Sequence, residues 1–124
     1  MKFLCLGYYD EKKFSALPKA ELEALSRKCG AHDEELVKTG KVINIASLEA
    51  TRQAISIRPR KGKPTVTDGP YSEAKEVIGS FFLIEARDRE EAVRIASLHP
   101  AALLGEELGW GLEVRGVDYY SEPR

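Results

Sequence analysis

The spacing of apolar residues changes several times along the chain, and each spacing predicts one element of secondary structure. Four stretches have the short, largely apolar pattern of strands, at residues 3–8, 42–48, 77–85 and 112–120. Two other stretches repeat apolar residues at intervals of three and four, which is typical of amphipathic helices. The first predicted helix begins at Pro18 and ends at Gly40, and the second begins after Asp88 and ends at Pro100.

A shorter, more polar segment separates the two halves of this pattern. Residues 51–58 predict a strand, residues 59–64 a turn and residues 65–67 one further short strand. The tripeptide Asp68-Gly69-Pro70 then predicts a tight turn. We therefore expect a hairpin inserted between two strand–helix–strand units.

The order of the elements predicts an α+β fold of the ferredoxin-like type, with one antiparallel sheet and two main helices on one face. The predicted strands are apolar on both faces, so helices on one side leave a second apolar face uncovered. That face would hold Leu4 and Leu6 together with Ile78, Phe82 and Ile84, or the residues opposite them. An exposed apolar patch of this size favours a homodimer that packs two sheets face to face.

Length and charge narrow the class of protein. The chain has 124 residues, which predicts a single domain over 1–124, and 43% hydrophobic with 31% charged residues is ordinary for a globular domain. Lys and Arg number 19 against 20 Asp and Glu, so we expect neither nucleic acid nor membrane as a partner. Because the apolar start is too short for a signal peptide and two cysteines make no disulfide framework, we expect a cytoplasmic protein.

One motif resembles a known family. The segment TDGPYSEAKEVIG at residues 67–79 is similar to the DGPF signature of the YCII-related proteins, and the downstream pattern to LEVR at 112–115 fits the same family. The resemblance implies a ferredoxin-like, dimeric α/β-barrel protein whose activity is mostly unknown. Some relatives are suspected enzymes with a His–Asp pair in a cavity between sheet and helix, and others accompany extracytoplasmic-function sigma factors. The position that corresponds to the relatives' histidine is near Cys29 here, and no histidine stands there.

Asp68 is the first candidate catalytic residue, because a Gly-Pro turn fixes the direction of its carboxylate. Tyr71, Glu73 and Lys75 follow as candidate ligand-binding residues, with Lys75 suited to an anionic group. The alternative is structural: Asp68 bonds only the turn amides, and the charged residues form a solvated loop.

His32 is the second candidate catalytic residue. It lies on the apolar stripe of the first helix beside Asp33, and a histidine near a carboxylate can titrate near neutral pH. The alternative is a histidine at the rim of the core. Cys29 and His32 could present two metal ligands, but a zinc site needs three or four, so no metal is expected. His99, before Pro100, is interpreted as the end of the second helix.

Three functions are consistent with these features. The first is a small-molecule enzyme or ligand-binding protein, without a cofactor, that uses Asp68, His32 and the residues of the 71–75 loop. The second is an accessory or regulatory protein of a sigma-factor system, which only the family resemblance suggests. The third is a structural dimer without a ligand. The basic run at residues 58–63 is interpreted as a solvated hairpin tip.

Overall fold

A computed structural model describes all 124 residues and contains six strands and four α-helices. The strands are β1 (Lys2–Asp10), β2 (Val42–Ser47), β3 (Ile55–Arg60), β4 (Lys63–Asp68), β5 (Glu76–Glu85) and β6 (Gly111–Gly116). The helices are α1 (Glu11–Ser15), α2 (Lys19–Lys38), α3 (Arg89–Ala96) and α4 (Pro100–Leu103). No helix among them is both long enough and apolar enough to cross a membrane.

Four of the strands form one open antiparallel sheet in the order β2-β5-β1-β6, and β3 and β4 form a separate two-stranded hairpin. The prediction of an α+β fold with an antiparallel sheet and an inserted hairpin is therefore confirmed. The two long central strands pair along nearly their whole length, from Lys2 opposite Glu85 to Asp10 opposite Glu76.

One face of the sheet carries the core. Alternation along the strands directs Phe3 and Cys5 of β1 and their partners Ile84 and Phe82 of β5 to the same side, where all four are buried. Both main helices pack onto this side, as the core cluster includes Leu36 of α2 and three residues of α3. Those three residues are Ala92, Ile95 and Ala96.

The other face of the sheet is also apolar at its centre. Leu4, Leu6 and Phe81 are half-buried there, and Leu83 is 7% exposed. Outer strand β6 contributes polar residues to this face, since Glu113 lies opposite Leu6. Both faces are apolar, as predicted, but the prediction that Phe82 and Ile84 share a face with Leu4 and Leu6 is wrong. The register of β1 and β5 pairs Cys5 with Phe82 and Phe3 with Ile84 on the core face.

Several element boundaries differ from the sequence prediction. Residues 51–53 form a 3₁₀ turn, and β3 and β4 pair from Ile55 opposite Asp68 to Arg60 opposite Lys63. The hairpin extends beyond the predicted strands because Lys61 and Gly62, with φ of 52° and 77°, close it in a two-residue turn. The last strand ends at Gly116 rather than at residue 120.

The prediction that the second helix ends at Pro100 is wrong. Helix α3 begins as predicted, with the Asp88 carboxylate accepting a hydrogen bond from the Glu91 amide, but it ends at Ala96. Pro100 instead begins α4, where a proline is tolerated because the first helical N–H groups have no partner within the helix. This places His99 at the N-cap of a new helix.

Candidate functional site

A cavity of about 290 Å³ lies at one end of the sheet, between the central strands and the helices. Strands β1 and β5, the end of β2, and helices α1, α2 and α4 all contribute side chains to its wall. The polar groups in that wall are Tyr8, Tyr9, Cys29, Asp33, Ser47, Ser80 and His99, and the aromatic groups include Phe14 and Trp110. No Lys or Arg lines this cavity.

Glycines in the central strands make room for this wall. The register of β1 and β5 shifts between Gly7 and Tyr8, so a bulge lies at the cavity. A Cβ atom on Gly7 would overlap the Ser80 hydroxyl, and a Cβ atom on Gly79 would lie 2.5 Å from the ring of Tyr9. Glycine is therefore required at both positions for the Ser80 hydroxyl and the Tyr9 ring to occupy their places.

A carboxylate holds the loop that follows β2 close to the start of α1. Glu11 accepts hydrogen bonds from the Thr51 amide at 2.9 Å and the Thr51 hydroxyl at 2.5 Å, and from the Tyr9 hydroxyl at 3.3 Å. The bonds from Thr51 keep the pKa of Glu11 below its ordinary value. Because Tyr9 lines the cavity, these bonds tie one cavity wall to the loop.

His99 is the most deeply buried titratable group in the cavity wall, with 7% exposure. Its Nδ1 accepts the Ala101 amide at 3.0 Å, and its ring stacks on Phe82 with a centroid separation of 4.7 Å. Burial lowers the pKa of His99 to about 4, so the ring is neutral at pH 7. Since Nδ1 is an acceptor, the neutral ring carries its proton on Nε2, which no other protein group hydrogen-bonds.

Asp33 has the opposite perturbation in the same wall. Burial raises the pKa of Asp33, and the nearby charge of His32 offsets part of that rise. Its Oδ1 atom is buried and has no hydrogen-bond partner. Cys29 lies one turn earlier on α2, and burial together with the charge of Asp33 raises its thiol pKa. A carboxylate with a raised pKa in a cavity wall is suited to accept a proton from a bound molecule.

The residues proposed from sequence lie elsewhere. Asp68 is exposed at the end of β4, and none of the five candidates Asp68, His32, Tyr71, Glu73 and Lys75 lines this cavity. His32 is half-buried, next to the cavity residue Asp33. Glu73 and Lys75 are exposed in the loop before β5. No side-chain hydrogen bond or salt bridge joins these five residues to one another, and their roles stay predictions.

Hydrogen bonds of Gly69 give the Asp68-Gly69-Pro70 turn a structural role. Gly69 has a φ of 108°, its amide donates to the Ala54 carbonyl at 2.7 Å, and its carbonyl accepts the Ser56 hydroxyl at 2.8 Å. Tyr71 is 63% exposed, and the Arg58 guanidinium lies 3.8 Å from its ring centroid while also donating to its carbonyl. The motif therefore fixes the loop to the base of the β3–β4 hairpin.

Sequence reasoning missed Asp33 and His99 as cavity residues. The sequence indicates Asp33 only as a neighbour of His32, although adjacent helix residues point about 100° apart. His99 was assigned to the end of a helix, whereas a histidine directly before a proline can also cap the start of the next one. Cys29 also lines the cavity.

Comparison with known proteins establishes the family. Residues 1–108 match the YCII-related domain. An uncharacterized protein of Rhizobium meliloti (strain 1021) is 35% identical over 96 residues, which cover 77% of this chain and 77% of that protein. The chain therefore belongs to the YCII-related family. No group of three or more His, Cys, Asp or Glu side chains is placed to hold a metal ion.

Proposed function

We propose that this protein is a homodimeric, ferredoxin-like small-molecule enzyme that transfers a proton within a bound, uncharged ligand. The observation that carries the proposal is that Asp33 and His99 line the same cavity and that their pKa values are displaced in opposite directions. Titratable groups whose pKa values are perturbed by burial in a cleft are concentrated at functional sites.

The fold and the dimer are supported by the sheet. The order β2-β5-β1-β6, with α2 and α3 packed on one face, is the arrangement expected when two strand–helix–strand units interleave. The other face carries Leu4, Leu6 and Phe81 only half-buried. A second copy that covers this face would remove its apolar centre from water.

The chemistry follows from the two protonation states. The Asp33 carboxylate accepts a proton from a C–H or O–H bond of the ligand, and the electrons of that bond move toward a neighbouring oxygen. The Nε2–H of His99 donates a hydrogen bond to that oxygen as its negative charge develops. Asp33 then returns the proton to another atom of the same ligand, so the reaction is a tautomerisation and needs no cofactor.

The cavity wall also restricts the ligand. Its aromatic side chains, among them Tyr8 and Trp110, favour a flat molecule, and the absence of Lys and Arg from the wall disfavours an anion. A volume of about 290 Å³ is at the low end for ligand pockets. We therefore propose a small uncharged compound that carries a carbonyl or phenolic oxygen.

A binding experiment with matched variants tests this function. A panel of small uncharged phenols and carbonyl compounds is screened by thermal shift against the parent, Asp33→Asn, His99→Asn and the control Glu34→Gln. Glu34 is exposed next to Asp33, so its variant removes the same charge outside the cavity. We expect Asp33→Asn and His99→Asn to lose the shift of every compound that stabilises the parent, and Glu34→Gln to retain it. Equal shifts in all four proteins would contradict the proposal.

Asp68 remains a second candidate within the same function. The same panel applied to Asp68→Asn separates its two interpretations, because asparagine keeps the shape of the side chain and removes its charge. Lost binding with normal stability would support a site role. Unchanged binding with a loss of about 0.5–2 kcal/mol in the free energy of unfolding would support a structural role. A sigma-factor partner has only the family resemblance in its favour.

A further inference from the structure

The β3–β4 hairpin has one apolar face that nothing in the chain covers. Its register places Ile55, Ile57 and Pro59 of β3 on the same face as Pro64 and Val66 of β4, and all five residues are exposed. The largest of them are 60–64% exposed. Asp68, opposite Ile55, is the one charged residue on this face and lies at its end. We call the five apolar residues the arm face.

The opposite face of the hairpin is polar and basic. Arg58 and Arg60 of β3 point to it together with Lys63 of β4, and serine and threonine residues occupy its remaining positions. Arg58 also stacks on Tyr71, so the loop after β4 lies toward this polar side. The hairpin is therefore amphipathic, and its apolar side is exposed to water.

An isolated two-stranded hairpin is marginally stable in water, and its apolar face usually packs against something else. Pairing through its edges is restricted, since Pro59 and Pro64 each lack the N–H that a neighbouring strand would need. The occupant should therefore pack on the face of the hairpin rather than extend its sheet.

We propose that the arm face packs on a second copy of this chain, so that each subunit clasps the other with its β3–β4 hairpin. This inference rests on the homodimer of the proposed function and adds a specific contact to it. The same chain offers a matching apolar surface away from the centre of the open sheet face, because Ile43 and Ile45 of the edge strand β2 are 42% and 43% exposed. Two-fold symmetry allows both copies to satisfy both surfaces at once.

Charge distinguishes a second copy from other occupants. Four of the 19 Lys and Arg residues, but only one of the 20 Asp and Glu residues, lie between Ile55 and Asp68, so the rest of the chain is net acidic. A basic hairpin and an acidic body attract each other as two copies approach, although Arg58, Arg60 and Lys63 point away from the contact itself. A membrane surface would also attract the basic side, but the hairpin has none of the Trp or Tyr residues that are typical of membrane interfaces.

The area of the arm face is too small for the two hairpins alone to hold a stable dimer. Six residues at about 3.3 Å each, in two strands about 5 Å apart, give a footprint of roughly 20 by 10 Å. Two arms and the two surfaces that they contact then amount to roughly 800 Å², short of the about 1,200 Å² of a stable interface. The open faces of the two sheets must therefore supply the remaining area, and the arms add to that contact.

Sedimentation equilibrium of two double variants tests the clasp. Ile57→Thr with Val66→Thr removes apolar groups from the arm face but keeps β-branched residues that favour strands. The control, Thr65→Ala with Thr67→Ala, removes groups of similar size from the polar face of the same hairpin. We expect the arm-face variant to raise the dimer dissociation constant at least about a hundredfold, and the control to dimerise like the parent.

Other outcomes separate the alternatives. If the arm-face variant dimerises as tightly as the parent, the clasp is wrong and the homodimer stands. If both double variants weaken the dimer equally, loss of hairpin structure explains the effect and the clasp is also wrong. A monomeric parent at micromolar concentration contradicts both the clasp and the dimer. If phosphatidylserine vesicles bind the parent but not the arm-face variant, and dimerisation is unaffected, the arm face is a membrane contact and the inference fails.

Discussion

Protonation of His99 should make the stability of this protein fall steeply in mild acid. The ring is buried, stacked on Phe82 and bonded through Nδ1 to the Ala101 amide, so the folded state resists the charged form. In the unfolded chain the same imidazole takes up a proton near its ordinary pKa of 6.5. Between that pH and about 4, only the unfolded state binds the proton, so acidification favours unfolding.

The size of the effect follows from the two pKa values. One pKa unit corresponds to about 1.4 kcal/mol, so a decrease from 6.5 to about 4 corresponds to about 3 kcal/mol of unfolding free energy. This contribution is complete above about pH 6.5 and is lost as the pH falls through about 4. Asp33 acts in the opposite sense, because its raised pKa makes the folded state bind a proton more readily than the unfolded chain.

A His99→Asn variant separates the contribution of His99 to the pH dependence of stability from that of the other titratable groups. Asparagine is a favourable N-cap residue and can accept the Ala101 amide, but it has no imidazole to protonate. Urea unfolding of both proteins at one protein concentration, from pH 7 to pH 4, gives the difference in free energy at each pH. We expect the parent to lose about 3 kcal/mol more than the variant over this interval. Parallel curves would refute the burial argument for His99.

Two further predictions concern the cavity wall. Gly79→Ala should displace the Tyr9 ring and lower the free energy of unfolding, measured in urea, by about 1–3 kcal/mol. The control Gly30→Ala lies in α2 with open space around it, so it should raise the free energy of unfolding by about 0.5–1 kcal/mol. A more stable Gly79→Ala protein would contradict this account. Iodoacetamide should alkylate the cavity residue Cys29 slowly, and Cys5 more slowly still, because burial raises the pKa of the Cys5 thiol to about 11. Mass spectrometry of the digested protein measures the order, and alkylation of Cys5 before Cys29 would contradict this prediction.

The main elements of the fold could be predicted from the sequence because local patterns determine them. Alternation along 3–8 and 77–85 predicted two strands that are apolar on both faces. It did not predict which faces coincide, since the register of β1 and β5 places Phe82 with Phe3 and not with Leu4. The Asp88 cap was identified from a side chain three residues before Glu91. These features depend on neighbours in sequence, and periodicity records such neighbours directly.

The cavity could not be predicted in the same way because its wall joins distant segments. Asp33 comes from α2, Ser80 from β5 and His99 from the N-cap of α4, and only the antiparallel register of β1 and β5 brings the glycines of these strands beside them. The sequence instead predicted a catalytic residue at Asp68, because a Gly-Pro turn follows it directly. The glycine of that turn and its hydrogen bonds show that part of the motif's composition serves the local backbone.

A fragment titration followed by two-dimensional NMR tests the central claim most directly, because it reports where small molecules bind. The probes are the uncharged phenols and carbonyl compounds of the thermal-shift panel, added to isotopically labelled parent, Asp33→Asn and Glu34→Gln proteins. We predict that the amides of Ser80 and Ala101 in the cavity wall shift in the parent and in Glu34→Gln, and remain unshifted in Asp33→Asn. Fragments that shift only amides outside the cavity, or that shift Ser80 and Ala101 equally in all three proteins, would contradict it.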